Sequence, residues 1–283
     1  MPVLTLGYRH CDRKRPLFIK NSEIEGIAVL ARQQLVDAAT DAIPLAVLSD
    51  ISGLKINGVV FDLFVGTGDV VHDEDGNPVL GICEYDPGVP DTAMVSVSPV
   101  GEHASEELVL STLGHEIGHA IFDAPGWIVD ASKGPGLFDD PSDAARRAYR
   151  TTTRDVEHLA KVPAVNEGSA TSAASIPGHT PKDLYFAELR ANEFMGSLLV
   201  PRQRLNLAVE ELAPKHGVTI HRSPSLDPEL PGQSLHLTAD GDLGFFDMEC
   251  FQRALATRFG VNRRFIEVRM ERYGLLRPEA KTR

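Results

Sequence analysis

The sequence predicts an α+β protein, and three observations support this class. Strand-like apolar runs fall together at 58–65, 78–85 and 93–98, and segments with apolar residues every three or four positions lie on both sides of them. This grouping favours an α+β fold. Hydrophobic residues make up 42% of the 283 residues and charged residues 24%, as in globular proteins that bury a sizeable core.

The first hundred residues contain the predicted strands. An amphipathic helix is expected at 22–39 and a short helix at 44–52, before the strands begin. The turn sequence DEDGN between the first two strand-like runs is typical of a hairpin connection. The third run, AMVSVS, could accept an extended substrate by β-strand addition.

The segment STLGHEIGHAIF, at 111–122, places three titratable residues in an otherwise apolar helix. Ser105 is the expected N-cap, and the helix should end before Ala124. Residues 124–182 are interpreted as a long insertion, with a helix around 141–160 and a loose tract rich in Ser, Ala, Gly and Pro at 163–181.

The C-terminal part is predicted to be mainly helical. A long helix is expected from about 182 to 200, followed by a hairpin within 234–246. Two further helices are expected at about 248–259 and 263–273, and Gly260 and Gly274 follow them as C-terminal glycines often do. We therefore predict a core over 1–201 and a C-terminal segment over 202–283.

His115 and His119 are four residues apart, so on a helix they project from one face and can reach one metal ion. Glu116 lies about 100° round the helix, where it can act on a metal-bound water without being a ligand. This is the His-Glu-x-x-His pattern of zinc metallopeptidases, in which zinc lowers the pKa of its water to about 7 and the glutamate takes the proton. The alternative is a pair of core histidines, whose burial without a ligand would be costly.

A catalytic zinc normally has a third protein ligand. Asp123 lies on the same helix line as the histidines and could not close a tetrahedron, so it is expected to be an outer partner or a surface carboxylate. Glu188 and Glu193 are better placed, but they point about 140° apart on one helix. Glu188 shares its face with mostly apolar residues, whereas Glu193 shares its face with Arg190 as a surface ion pair would; we therefore predict Glu188 as the ligand.

Other polar residues could stabilise the charge that develops on a peptide carbonyl. Tyr185, His158 and His179 have suitable side chains. Each alone is more often a surface or core residue, because nothing in the sequence fixes its geometry.

The segments STLGHEIGHAIF and ELRANEFMGSLLVP together resemble the ImmA/IrrE family of zinc metallo-endopeptidases. The resemblance extends from about residue 22 to 276 and includes a closing segment, 253–276, that is similar to the family's helix-turn-helix-like part. It implies a zincin-like metallopeptidase core. It also implies zinc ligands at His115, His119 and Glu188, with Glu116 as catalytic base, and it matches Asn192 to the second motif.

The resemblance implies a cytoplasmic zinc endopeptidase that cleaves a specific protein, plausibly a helix-turn-helix transcriptional repressor. Two other functions remain open. One is a less specific or toxin-like protease of a toxin–antitoxin pair, and the other is a DNA-associated regulator with a structural zinc site. Retention of Glu116 favours an enzyme, because a structural site needs only ligands.

Charge and cysteine content limit the kinds of partner and the cellular location that the sequence predicts. Residues 1–140 carry a net charge of −14, which argues against a general nucleic-acid binder, and residues 141–283 carry +2. Arg263, Arg264, Arg269 and Arg272 could make a weak contact with DNA, or they could form a solvated helical face. The three cysteines are widely separated, no signal-peptide pattern or bilayer-length apolar run occurs, and a cytoplasmic location is expected.

Overall fold

A computed structural model describes residues 2–73, 75–101, 104–132, 147–151, 180–224, 233–239 and 243–276. The contacts within the chain divide it into two units, Met1–Leu198 and Leu199–Arg283. The first unit combines helices with a mixed six-stranded sheet, so the predicted α+β class is confirmed.

The elements of the first unit are as follows. The strands are β1 (Val3–Leu6), β2 (Gly53–Ile56), β3 (Val59–Gly66), β4 (Val71–His72), β5 (Pro78–Val79), β6 (Gly81–Tyr85), β7 (Thr92–Val97) and β8 (Arg147–Thr151). The helices are α1 (Asn21–Leu35), α2 (Leu45–Ser49), α3 (Glu106–Phe122), α4 (Ala124–Ser132) and α5 (Pro181–Leu199), the last of which ends at the boundary between the units.

The strand order in the large sheet is β1-β2-β3-β7-β6-β8. β1 pairs with β2, and β3 with β7, in parallel, whereas β2–β3, β7–β6 and β6–β8 are antiparallel. The DEDGN turn was assigned to the wrong pair of strands, because it connects the short β4 and β5 rather than β3 and β6. The prediction that AMVSVS offers an edge to a substrate is also wrong, because β7 is paired on both sides.

The insertion contains a strand where the sequence predicts a helix. Within 141–160 the structure describes only residues 147–151, and these form β8 on the edge of β6. The local sequence is rich in Ala and Arg, which favours a helix, but Tyr149 and Thr151 are both buried, two positions apart as on one face of a strand. Tertiary packing therefore decides the conformation. Residues 163–179 of the predicted loose tract lie outside the described residues. The tract was predicted to extend to 181, but α5 begins at Pro181.

α3 begins and ends as the sequence predicts. Ser105 is the N-cap, and its hydroxyl accepts a hydrogen bond from the Leu108 backbone N–H at 3.3 Å. The helix ends at Phe122, and Asp123 is its C-cap. From Val109 onward every residue of α3 is buried, and the helix packs against β6 and β7. α4 was not predicted from the sequence; it begins at Ala124 and has proline at its second position, where a helix tolerates it.

In its described residues, the second unit contains three helices, a 3₁₀ turn and a hairpin. They are α6 (Arg202–Leu212), the turn Ala213–His216, β9 (Thr219–Pro224), β10 (Gln233–Thr238), α7 (Gly244–Phe259) and α8 (Arg263–Arg272). The hairpin predicted within 234–246 is wrong, because β10 pairs with the preceding β9 and Gly244 begins a helix. Gly260 and Gly274 adopt φ of 66° and 73°, which confirms their predicted place after helices.

Within the described ranges, we find no helix that combines the length and the apolar composition needed to cross a membrane.

Candidate metal centre

A close approach between α3 and α5 brings the two sequence motifs together. A Cβ placed on Gly118 would lie 3.0 Å from the Ala191 Cα and 3.2 Å from the Ala191 carbonyl oxygen, so any side chain here would require α5 to move away by a few tenths of an ångström. Ala191 lies one turn after Glu188 on α5. The small residues therefore allow the Glu188 carboxylate to reach the histidines of α3.

His115, His119 and Glu188 converge as predicted, and their ligand atoms all lie within 4.8 Å of one another. The two Nε2 atoms are 3.1 Å apart. One Glu188 oxygen lies 3.3 Å from Nε2 of His115, and the other lies 3.4 Å from Nε2 of His119. Ligands that bind zinc tetrahedrally at about 2.0–2.1 Å are separated by about 3.3 Å, so the spacing of these three side chains suits such an ion.

Both histidines are oriented by an oxygen acceptor at the other ring nitrogen. Nδ1 of His115 lies 2.9 Å from Oδ1 of Asn192, and Nδ1 of His119 lies 3.2 Å from Oδ2 of Asp123. These contacts favour the tautomer that carries its proton on Nδ1 and a lone pair on Nε2. In that tautomer two lone pairs and a carboxylate face one another, and a cation or a proton between them is needed to offset their repulsion.

The electrostatics of the three residues is that of a site that attracts positive charge. Burial by itself lowers the pKa of His119, but the Glu188 and Asp123 carboxylates outweigh it and raise this pKa to about 10. Burial would raise the pKa of Glu188, but the two histidines overcome this effect and hold it well below the ordinary range. Without a metal, the cluster therefore keeps a proton on His119 at neutral pH.

Asp123 is a partner of a histidine and not a member of the cluster of ligand atoms. Besides His119, it binds Arg190, whose Nη2 donates to Oδ1 at 2.9 Å. Although burial raises the pKa of Asp123, the Arg190 and His119 charges lower it below its usual value. The carboxylate is therefore ionised and fixed in place, and it can hold the His119 ring in one orientation.

Glu116 is completely buried beside the cluster, and among the described residues only one of its two carboxylate oxygens has a hydrogen-bond partner. Thr151 of β8 donates its hydroxyl proton to Oε1 at 2.6 Å. Oε2 makes no hydrogen bond with any described group. Burial raises the pKa of Glu116, although His115, His119 and the Thr151 hydroxyl act in the opposite direction. An unsatisfied buried carboxylate oxygen is costly and suggests a missing donor.

Two side chains of β8, Thr151 and Tyr149, lie at the site and were not predicted from the sequence. The Tyr149 ring stacks on His119 with centroids 3.9 Å apart, and it also stacks with Trp127 of α4, with centroids 5.5 Å apart. Burial raises the pKa of Tyr149 well above its usual value, so the phenol is neutral. The only sequence signal for β8 was the spacing of Tyr149 and Thr151 by two, which is too short to identify a strand.

The remaining candidates have different outcomes. Tyr185 is on α5 but is 41% exposed, and its ring lies edge-on to that of Phe186, with centroids 5.7 Å apart. Glu193 was predicted to pair with Arg190 at the surface, and this is wrong. It is buried and accepts a hydrogen bond from Ser197 at 3.1 Å, because this face of α5 is also packed, whereas Arg190 pairs with Asp123. His158 and His179 lie outside the described residues.

In the second unit, the arginines of α8 have protein partners. Arg263 donates to Gln252 at 3.0 Å, and Arg264 pairs with Glu267 at 2.7 Å. Arg269 is buried, and its guanidinium both donates to the Tyr273 hydroxyl and lies 4.4 Å from the centre of that ring. The predicted solvated helical face is therefore wrong for Arg269, which is buried, and the predicted weak contact with DNA stays a prediction.

Searches of protein-family models, of curated proteins and of solved structures found no match to this chain.

Proposed function

We propose that this chain is a zinc-dependent endopeptidase in which His115, His119 and Glu188 hold the metal and Glu116 is the general base. One observation supports it most strongly. Two histidines, oriented through Nδ1, place their Nε2 atoms 3.1 Å apart and within 3.4 Å of a carboxylate. Two imidazoles and a carboxylate are a ligand set that suits zinc.

The chain's own residues have distinct parts in this proposal. Zinc, when bound, would make a water molecule acidic and would polarise the carbonyl of the peptide bond. Glu116 accepts the proton of the attacking water and passes it to the leaving amine. Asp123 and Asn192 keep the histidine rings oriented, and they are the outer partners that such ligands require. A metal that only supported the fold would leave the buried Glu116 without a purpose.

The finer fold assignment is also a proposal. In the first unit, β7 precedes the α3 helix that carries both histidines, and α5 supplies Glu188, which is the order expected of a zincin-like core. In the second unit, α7 and α8 are joined by residues 260–262 and pack together, as in a helix-turn-helix-like segment. We propose these two assignments for the two units.

We further propose that the substrate is a helix-turn-helix transcriptional repressor and that the protein acts in the cytoplasm. The net charge of −14 over residues 1–140 supports a basic substrate, because an acidic surface speeds the encounter with one. Helix-turn-helix repressors present basic surfaces to DNA. A less specific or toxin-like protease is the alternative, and a digest of a repressor encoded nearby, read by mass spectrometry, separates the two. Site-specific cleavage supports the proposal, and rapid loss of casein with the repressor intact contradicts it.

The replacement Glu116→Gln tests the enzymatic function. We expect the variant to keep its fold and zinc content but to lose about 10²–10⁴-fold in proteolysis, because the base is removed while the ligands remain. The matched control is Glu193→Gln, which changes another buried glutamate of the same unit that is not among the predicted ligands. If Glu116→Gln cleaves as fast as the wild type, the chain uses another mechanism or its metal is structural.

A further inference from the structure

We propose that Thr151 is a positioning residue that orients Glu116 for catalysis. This inference rests on the proposed function, in which Glu116 is the base. It goes beyond that function because it assigns a role to β8, a strand 35 residues beyond Glu116 in the chain.

The contact is specific and buried. The Thr151 hydroxyl and Oε1 of Glu116 are 2.6 Å apart, and the two residues are 3% and 0% exposed. A hydroxyl-to-carboxylate bond of this length is charge-assisted and stronger than an ordinary neutral one. Because Oε1 is already engaged, Oε2 is the oxygen left to accept a proton. The hydroxyl therefore distinguishes two oxygens that are otherwise equivalent.

The backbone holds Thr151 in this position. Thr151 is opposite Gly81 in the β6–β8 ladder, and its carbonyl oxygen accepts a hydrogen bond from the Leu80 N–H at 2.8 Å. Two residues earlier on the same strand, Tyr149 stacks with both His119 and Trp127. The strand is therefore fixed at both positions, and a hydroxyl on it has little freedom to move away from Glu116.

Gly81 provides the space through which Glu116 reaches Thr151. A Cβ on Gly81 would lie 3.0 Å from both Cγ and Oε1 of Glu116 and 2.7 Å from a methyl carbon of Thr112. Since real Cβ contacts are rarely so short, a side chain here would displace either the glutamate or the strand. The absence of a side chain at Gly81 and the hydroxyl at Thr151 thus have one common effect, which is the fixed placement of the carboxylate.

A fixed carboxylate matters because proton transfer depends on geometry. A general base must lie within hydrogen-bond reach of the proton that it removes, and small displacements reduce the rate steeply. A glutamate whose carboxylate could rotate would spend part of its time with neither oxygen directed at the water. Thr151 prevents this rotation without touching substrate or metal.

The test compares Thr151→Val, which has the same shape without the hydroxyl, with Thr151→Ser, which restores it. On a quenched fluorescent peptide that the wild type cleaves, we expect Thr151→Val to lower kcat by roughly 10- to 100-fold at unchanged KM. Thr151→Ser should recover most of kcat. The matched control is Ser197→Ala, which removes another buried hydroxyl that donates to a glutamate and should leave kcat unchanged. Zinc content and melting temperature are measured for every variant.

Binding of acetohydroxamate, read on the cobalt-substituted protein from its visible spectrum, tests the inference without turnover. This chelator presents a proton where the attacking water would, so its affinity should fall in Glu116→Gln and in Thr151→Val but not in Thr151→Ser. If the wild type binds metal and chelator but cleaves no peptide, the proposed function fails and this measurement still judges Thr151. The inference would be overturned if Thr151→Val kept both the wild-type affinity for acetohydroxamate and the wild-type kcat. It would also be overturned by a kcat above the wild-type value, which would mean that β8 limits catalysis at the site.

Discussion

The cluster on α3 and α5 and the arginine group on α8 look alike in the sequence, since each is a set of charged or titratable residues on a helix. In the structure they differ in whether their polar groups meet complementary partners within the protein. Arg263 and Arg264 meet Gln252 and Glu267, and Arg269 meets Tyr273. In the cluster, the orienting oxygens of Asn192 and Asp123 leave two imidazole lone pairs directed at Glu188.

The difference indicates which charged sets to regard as sites. The contacts of Arg263, Arg264 and Arg269 with other side chains of their own unit give no reason to expect a ligand there. A buried group whose acceptors face one another is complete only when a cation or a proton is added. Removing a residue should therefore have a large effect on metal binding in the cluster and a small effect in the arginine group.

The largest effect is expected for the third ligand. Glu188→Gln should weaken zinc binding by more than about 100-fold, which is the upper end of the loss seen for outer partners, because a ligand itself is changed. Glu193→Gln, on the same helix, should bind zinc as the wild type does, since its carboxylate accepts from Ser197 and is not in the cluster. Competition with a chromophoric chelator gives both affinities. Weaker binding in Glu193→Gln than in Glu188→Gln would assign the wrong carboxylate to the metal.

The pH dependence of zinc binding follows from His119. Its pKa of about 10 in the metal-free protein means that zinc must displace a proton at neutral pH. Apparent zinc affinity should therefore fall about tenfold for each unit by which the pH is lowered from about 8 to about 6. Calorimetry in buffers of different ionisation enthalpy counts the protons released. An affinity that does not change over this range would show that no protonated ligand is displaced.

The same raised pKa has the opposite consequence for the metal-free fold. Its folded value lies above the unfolded value of about 6.5, so the stabilisation by protonated His119 is complete below about pH 6.5. It is lost as the pH rises through about 10. Melting curves of chelator-treated protein should therefore show a lower melting temperature at about pH 10 than at about pH 6, because the contribution of protonated His119 is lost.

A smaller effect is expected for the residues that orient the histidines. Asn192→Ala should lower zinc affinity about 10- to 100-fold, because His115 loses the acceptor at Nδ1 while all three ligands remain. Asn192→Asp, which keeps an oxygen there, should restore most of the affinity. If Asn192→Ala binds zinc as tightly as the wild type, the contact at 2.9 Å does not orient the ring.

The smallest effects are expected in the arginine group. Arg264→Ala removes an exposed ion pair with Glu267 and should change the free energy of unfolding by no more than about 1 kcal/mol. Arg269→Ala should cost about 1–3 kcal/mol, because it leaves the buried Tyr273 hydroxyl without this donor. Denaturant titration measures both. A marked loss of DNA binding in Arg264→Ala without loss of stability would instead assign this helix to a nucleic acid.

Local patterns were sufficient for α3 and its residues. The spacing of His115 and His119 and the cap at Ser105 are properties of one helix. The predicted choice of Glu188 over Glu193 needed only the angle between them and the residues that share each helical face. That Glu188 joins the cluster is confirmed, whereas the surface place of Glu193 is wrong. The side-chain placement predicted from the helical faces of α5 was correct for Glu188 and wrong for Glu193, because α5 is packed on more than one side.

The contribution of β8 could not be predicted from the sequence, because it depends on contacts between distant residues. The sequence around residues 144–150 is rich in Ala and Arg and favours a helix locally, yet pairing with β6 and the stacking of Tyr149 make residues 147–151 a strand. The register that puts Thr151 opposite Gly81, and so beside Glu116, is visible only in three dimensions. The same holds for the pairing of Arg190 with Asp123 across two helices.

Metal analysis of the purified protein tests the central claim most directly. The wild type, equilibrated with zinc and desalted, should retain about one zinc per chain, and the double variant His115→Ala/His119→Ala should retain none. The control is His221→Ala/His236→Ala, which removes a neighbouring pair of histidines on β9 and β10, outside the cluster, and should keep the metal. Full zinc occupancy in the His115→Ala/His119→Ala variant, or none in the wild type, would contradict the account.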